Sequence, residues 1–152
     1  MFSKTINIHT QTNLEMPKVE TPKTGNIFQA VGRRKEASAR VRLQKGKGQF
    51  VINGRPIAQY FPNEAVRLEK PFKITETQGM YFATIKVEGS GKAGQLDAMI
   101  AGIANALSSI DVKKYRPSLK KKGFMTRDPR TRERRMVGKG GKSRRGKQSP
   151  KR

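Results

Sequence analysis

Residues 38–44 alternate without a break, with Ala39, Val41 and Leu43 on one side and Ser38, Arg40 and Arg42 on the other. A period of two marks a half-buried β-strand, here with two guanidiniums on its open face. Lys45-Gly46-Lys47-Gly48 offers a flexible turn into Phe50-Val51-Ile52, so 38–52 reads as a β-hairpin. Ile27, Gln29 and Val31 mark a strand ahead of it, ending at Gly32, and Asn53-Gly54-Arg55-Pro56 is expected to break the sheet behind it. Short helical pieces are expected over 57–60 and 64–68, divided by Pro62, with Pro71 stopping that region. From Met80 to Val87 the alternation returns, Tyr81, Ala83, Ile85 and Val87 opposing Phe82, Thr84 and Lys86.

The strongest helical signal runs over 94–110. Leu96, Met99, Ile100, Ile103, Leu107 and Ile110 fall on one stripe at a period of 3.6. The other flank, with Ala98, Ala101, Gly102, Asn105 and Ser108, is small or uncharged where a solvent-facing flank would carry Lys and Glu. Either RNA or another chain segment approaches it closely, or it is an ordinary Ala-rich packing face. Strands and helices in this order predict an α+β two-layer sandwich: a small mixed four-stranded sheet with helices on one face.

Charge changes the picture. The 152 residues carry 34 Lys and Arg against 11 acids, a formal net charge of +23 and a pI near 11.1. Self-repulsion on that scale calls for a polyanion, and a phosphate backbone is the natural one. The charge is also uneven. Residues 1–112 hold 16 basic and 9 acidic residues, a net of +7, whereas 113–152 hold 18 basic and 2 acidic, a net of +16. Three segments follow: a flexible extension over 1–26, a globular RNA-binding domain over 27–112, and a basic helix with an extended tail over 113–152. Beyond Phe124 the apolar residues are Met125, Met136 and Val137, so 125–152 is expected to order only against an anionic partner. The first 25 residues contain no arginine and no apolar core, which fits neither a transit peptide nor a secretory signal. The longest mostly apolar stretch, 98–107, is too short to cross a bilayer, so no membrane partner is expected.

Catalytic chemistry finds little support. There is no cysteine, and the single His9 lies in the polar leader with no second imidazole beside it, so no metal site or cofactor is expected. The loop Gly89-Ser90-Gly91-Lys92-Ala93-Gly94-Gln95 has the setting of a phosphate-binding loop, but Lys86 and Ala93 stand where the motif needs Gly and Ser or Thr. What remains at Lys92 is either a weak anion site at a helix start or a tight turn shaped by glycines. Glu36, Asp128 and Glu133 each sit among cations and read as spacers that position neighbouring arginines. Arg33, Arg34 and Lys35, with Arg40 and Arg42 nearby, form a basic surface on rigid scaffold, and guanidinium forks match phosphate oxygens. The reading is a nucleic-acid-binding protein and not an enzyme; a free-standing compaction protein is the alternative, and a small-molecule kinase a distant third.

Several blocks are more specific than that. Gly32-Arg33-Arg34-Lys35-Glu36-Ala37-Ser38-Ala39-Arg40-Val41-Arg42-Leu43, Ile52-Asn53-Gly54-Arg55-Pro56, GSGKAGQLDAMIAGIANAL (89–107), RPSLKKKGFMTRDPRTRERR (116–135) and the final Ser149-Pro150-Lys151-Arg152 occur in this order. Together they resemble the small-subunit ribosomal protein nine family over about 27–152. The resemblance implies a place in the head of the small subunit, on the 3′ major domain of its rRNA and beside neighbouring head proteins, in a bacterial cytoplasm or an organelle. It implies the α/β sandwich shared with the second domain of small-subunit ribosomal protein five. Arg33, Arg34, Lys35, Arg127, Arg130, Arg132, Arg134 and Arg135 would contact rRNA, and Lys151 and Arg152 would reach the P-site tRNA. The basic surface and tail add Arg40, Arg42, Lys92, Lys142, Arg144, Arg145 and Lys147 to the candidate rRNA contacts.

Overall fold

The computed structural model describes residues 27–133. Five strands form one mixed sheet in the order β1-β2-β5-β3-β4, with β1 over Ile27–Arg34, β2 over Ala37–Lys45, β3 over Val51–Ile52, β4 over Arg55–Pro56 and β5 over Tyr81–Glu88. Four helices accompany them: α1 over Ile57–Tyr60, α2 over Ala65–Ile74, α3 over Lys92–Ile110 and α4 over Val112–Lys121. The α+β class and the mixed sheet agree with the sequence; the strand count is five, not four.

The fifth strand comes from the segment expected to break the sheet. Asn53 and Gly54 both take positive φ, 50° and 79°, so Asn-Gly forms a two-residue hairpin turn joining β3 to β4. The Asn53 side chain then extends the ladder of β5: its Nδ2 donates to Val87 O at 2.8 Å, and Val87 N donates to its Oδ1 at 2.9 Å.

The hairpin expected over 38–52 does not form. β2 pairs antiparallel with β1 on one side and with β5 on the other, eight rungs each, so β5 stands between β2 and β3. A two-residue β3 cannot compete with an eight-residue strand for that edge, and it lies parallel to β5 on the far side. Such parallel pairing needs a crossover, and α1 and α2 make it. β2 instead forms its tight hairpin with β1, turned by Lys35 and Glu36, with Lys35 at φ 53°.

The inner face of the sheet supplies Ala37, Ala39, Val41, Leu43, Ala83, Ile85 and Val87 to the core. Helix α3 lies across it and returns Leu96, Met99, Ile103 and Leu107, all fully buried. Leu68 and Phe72 of α2, and Tyr115 and Leu119 of α4, close the core on the far side of α3. Packing therefore continues beyond Val112: the break in composition there separates charge, not folded from unfolded chain. Pro71, expected to stop the second helical piece, sits fully buried inside α2, which runs on to Ile74. Burial of the ring offsets the hydrogen bond that its missing N–H forgoes.

The small flank of α3 faces the sheet. A Cβ built on Gly32 would stand 2.0 Å from Ala98 O and 2.4 Å from Gly102 N, and one on Gly102 would stand 2.7 Å from a methyl of Val41. Asn105 Nδ2 donates to Val31 O at 3.2 Å, tying the same helix to β1. This contact sets the parity of β1, which runs on past Gly32 to Arg34. Phe28, Ala30 and Gly32 point inward, while Ile27 and Val31 remain 41% and 48% exposed.

Gly32→Ala is therefore expected to destabilise the domain by about 3 kcal/mol, the upper end for overpacking, because backbone must yield. Gly54→Ala meets nothing within 4 Å and should cost only the strain of its positive φ, ~1 kcal/mol. Denaturant titration followed by circular dichroism checks both values; equal losses would contradict the close-packing account.

Candidate nucleic-acid interface

A strand sends successive side chains to opposite faces, and here that rule divides what looks like a single basic run. Arg33 shares the outer face with Arg40 and Arg42, and all three are exposed. Arg34 turns to the helix side, where only 16% of its side chain is accessible. Lys35 stands in the turn between them, exposed.

Arg34 is engaged from several directions. Its Nη2 lies 3.0 Å from Asp128 Oδ2, its Nη1 donates to Arg130 O at 2.8 Å, and its Nε is 3.8 Å from Asp97 Oδ2. Asp97 also receives Arg67 Nη2 at 3.1 Å, so α2, α3 and β1 meet in one ion cluster. Asp128 is gripped from its own segment as well. Arg130 donates its backbone N–H to Oδ1 at 3.0 Å and its guanidinium to both carboxylate oxygens, the closest at 2.6 Å. These bonds from Arg130, aided by its charge and that of Arg34, hold the Asp128 carboxyl well below the usual carboxylate range; the same pairing raises Arg130. Asp128 thus does what a spacer in a basic run was expected to do, and it also fastens the chain beyond α4 to the domain.

That segment starts with Phe124 and Met125 packed against the core, followed by Arg127, which lines a shallow cleft with Arg33, Val31 and Asn105. Arg127, Arg130 and Arg132 are all exposed. Residues 125–133, expected to order only against a partner, thus include a docked root. Arg134, Arg135, Lys142, Arg144, Arg145, Lys147, Lys151 and Arg152 lie outside the described residues, as does the 1–26 extension.

Lys92 opens α3 and is exposed, but its Nζ donates to Tyr60 O at 3.2 Å and sits 5.5 Å from the Tyr60 ring centroid. The loop before it owes its glycine to geometry: Gly89 has φ 78°, and a Cβ there would stand 2.3 Å from Glu36 O. Of the two readings of this loop, a turn shaped by close approach is the one with contacts behind it.

Sequence reasoning passed over Lys86. It is exposed on the outer face of β5, and the register sets it directly across from Arg40. Its parity was visible in the sequence; its neighbours were not, because the pairing of β2 with β5 joins residues some forty positions apart. Asp97 and Arg67 were missed because the packing of α2 against α3 brings together residues thirty positions apart. Among the described residues no three His, Asp or Glu side chains gather as metal ligands would, and no helix is long and apolar enough to cross a membrane.

A rigid α+β module with arginines arrayed on the exposed face of its sheet, and a basic chain rooted beside them, has the build of a structural RNA-binding protein. Comparison with known proteins makes this specific. The family model described as ribosomal protein S9/S16 matches residues 32–152. The chain is 45% identical over 126 residues to the small ribosomal subunit protein uS9 of Renibacterium salmoninarum, covering 82% of this chain and 75% of that one. It is 45% identical over 124 residues to the protein of the same name from Arthrobacter sp., covering 80% and 74%, and 48% identical over 111 residues to that of Leifsonia xyli, covering 72% and 66%. The chain belongs to the ribosomal protein S9/S16 family, and its role is that of a structural protein of the small ribosomal subunit.

A depressed carboxyl contributes stability above its unfolded pKa and loses it only as pH falls through the folded value. The root at Asp128 should therefore survive mild acid. Carboxyl NMR is expected to show Asp128 still ionised between about pH 5 and pH 3, where ordinary aspartates titrate. In Asp128→Asn, hydrogen exchange at the Arg130 amide should accelerate while the α3 amides keep their protection. An Asp128 midpoint near the ordinary value would contradict this arrangement.

Proposed function

We propose that this protein binds the rRNA of the small-subunit head, in the 3′ major domain, through its folded module and that its C-terminal tail reaches the tRNA in the P site. The observation that carries the reading is the combination of family membership with two sets of cations on one chain. Arg33, Arg40 and Arg42 stand exposed on a rigid sheet, and 113–152 adds a net charge of +16. The first set suits RNA of fixed shape, because the strand register fixes the spacing at which its arginines leave the backbone. The second suits crowded helices, because a polycationic chain neutralises phosphates wherever it is led.

In this reading Arg33, Lys35, Arg40, Arg42, Arg127 and Arg132 contact rRNA from the folded part. Lys92 has ammonium donors beyond its bond to Tyr60. Arg34 and Arg130 act chiefly by setting the direction in which the tail departs. Arg134, Arg135, Lys142, Arg144, Arg145 and Lys147 continue the rRNA contacts, and Lys151 and Arg152 touch tRNA backbone. Contact with backbone suits a site that must accept every tRNA. Head proteins of the same subunit are its neighbours, a bacterial cytoplasm its setting, and no catalysis is involved.

Two measurements test this. Residues 134–152 hold nine cations, so truncation after Glu133 should leave the circular dichroism of the module intact. The same truncation should reduce the log–log salt slope of rRNA binding by up to ~8. An unchanged slope would remove the tail from the account. Deleting Lys151 and Arg152 alone should leave the protein sedimenting with the small subunit at high salt while P-site tRNA dissociates faster. Normal tRNA off-rates would refute the tRNA contact.

A further inference from the structure

We infer that the outer, arginine-bearing face of the sheet is a docking surface for the phosphate backbone of paired RNA, not of single strands, with Lys86 as one of its contacts. The inference rests on the RNA-binding reading above and names the form of RNA that this face takes.

The face spans three adjoining strands. β1 contributes Gln29, Val31 and Arg33, β2 contributes Ser38, Arg40 and Arg42, and β5 contributes Thr84, Lys86 and Glu88. In register, Arg40 is flanked by Val31 and Lys86, Arg42 by Gln29 and Thr84, and Ser38 by Arg33 and Glu88. From strand spacings, the four cations fall within a patch about 10 Å by 14 Å. None of the four is ion-paired among the described residues, in contrast to Arg34, Arg67 and Arg130. Like charges directly across a ladder destabilise a sheet, so Arg40 facing Lys86 weakens the free domain and is relieved by a polyanion laid over both.

Among the described residues the same face lacks what a single strand needs. Unstructured RNA is held on sheets chiefly by bases stacked on exposed aromatic rings. Tyr81 and Phe28 have inward parity. Phe82 has outward parity, but the β2–β3 loop lies over it: a Cβ on Gly48 would stand 2.8 Å from its Cγ. Positions around the cations are instead Gln29, Ser38 and Thr84, polar groups suited to ribose hydroxyls and phosphate oxygens, with Val31 beside Arg40 and the acidic Glu88 at the end of the patch beside Ser38. Cations and hydroxyl partners without a stacking ring describe a surface for a backbone whose bases are turned away, as they are in a duplex. A protein partner would draw on Ile27 and Val31 at the edge rather than on the cations.

The test uses the full chain and two RNAs of equal phosphate number, a hairpin duplex and an unstructured strand, with affinity measured across a salt series. Replacing Arg40, Arg42 and Lys86 together by Ala should lower the salt slope on the duplex by about 2.7, at ~0.9 per lost phosphate contact, and leave the single-strand slope unchanged. A fall of ~2 on the single strand with the duplex unmoved would overturn the proposal. So would unchanged slopes on both RNAs, the outcome expected if the face serves a protein. Wild-type protein that binds neither RNA would instead sink the RNA-binding reading itself, and this inference with it. Should the triple variant fail to fold, Lys86→Ala alone should lower the duplex slope by ~0.9, and Arg40→Lys with Arg42→Lys should preserve it; failure of either expectation also overturns the proposal.

Discussion

The fold turns on the place where α3 meets β1 with no side chain between them. At Gly32 the helix backbone comes so near that a methyl group would overlap Ala98 O. That approach fixes which side of β1 is inside. Once Gly32 faces the helix, alternation leaves Arg33 no choice but solvent and Arg34 no choice but the helix side. One steric fact therefore sorts two adjacent arginines into different occupations: one available to a ligand, one employed in holding the protein's own chain.

The second occupation explains why acids persist in so basic a segment. A root of cations alone would be repelled by the module it leaves. Asp128 answers Arg34 across the domain and Arg130 two residues along, and Asp97 answers Arg34 and Arg67. The chain beyond α4 thus leaves from a defined point, with Arg127 beside Arg33. Where a polycation begins determines which phosphates it can neutralise, even if its later contacts are indifferent to sequence.

Much of this was legible beforehand, for identifiable reasons. The alternation in β2 and β5 and the stripe of α3 survive because each element is long enough for its period to be read without knowing its partner. Pairing was not legible: a Gly-rich turn after β2 made β3 look like its hairpin mate, and only the eight-rung match with β5 shows otherwise. The parity of β1 was not legible, because Ile27 and Val31 are as apolar as Phe28 and Ala30, and the close approach of the helix to Gly32 decides which set faces inward. Asn53-Gly54 carries its own hairpin signal, but Asn53-Gly54-Arg55-Pro56 taken together reads as a break. The basic surface was recognised as charge, but its division into a free face and an engaged cluster needed strand register and α3 in place.

The central claim is that the pleat of β1 separates arginines that face RNA from one that holds the protein together. Arginine-selective dicarbonyl labelling, read by mass spectrometry, addresses it directly. In the free protein Arg33, Arg40 and Arg42 should react readily while Arg34 stays protected, and within assembled small subunits the first three should become protected as well. Arg34 reacting as fast as Arg33 in the free protein, or the three outer arginines remaining reactive in the subunit, would contradict the account.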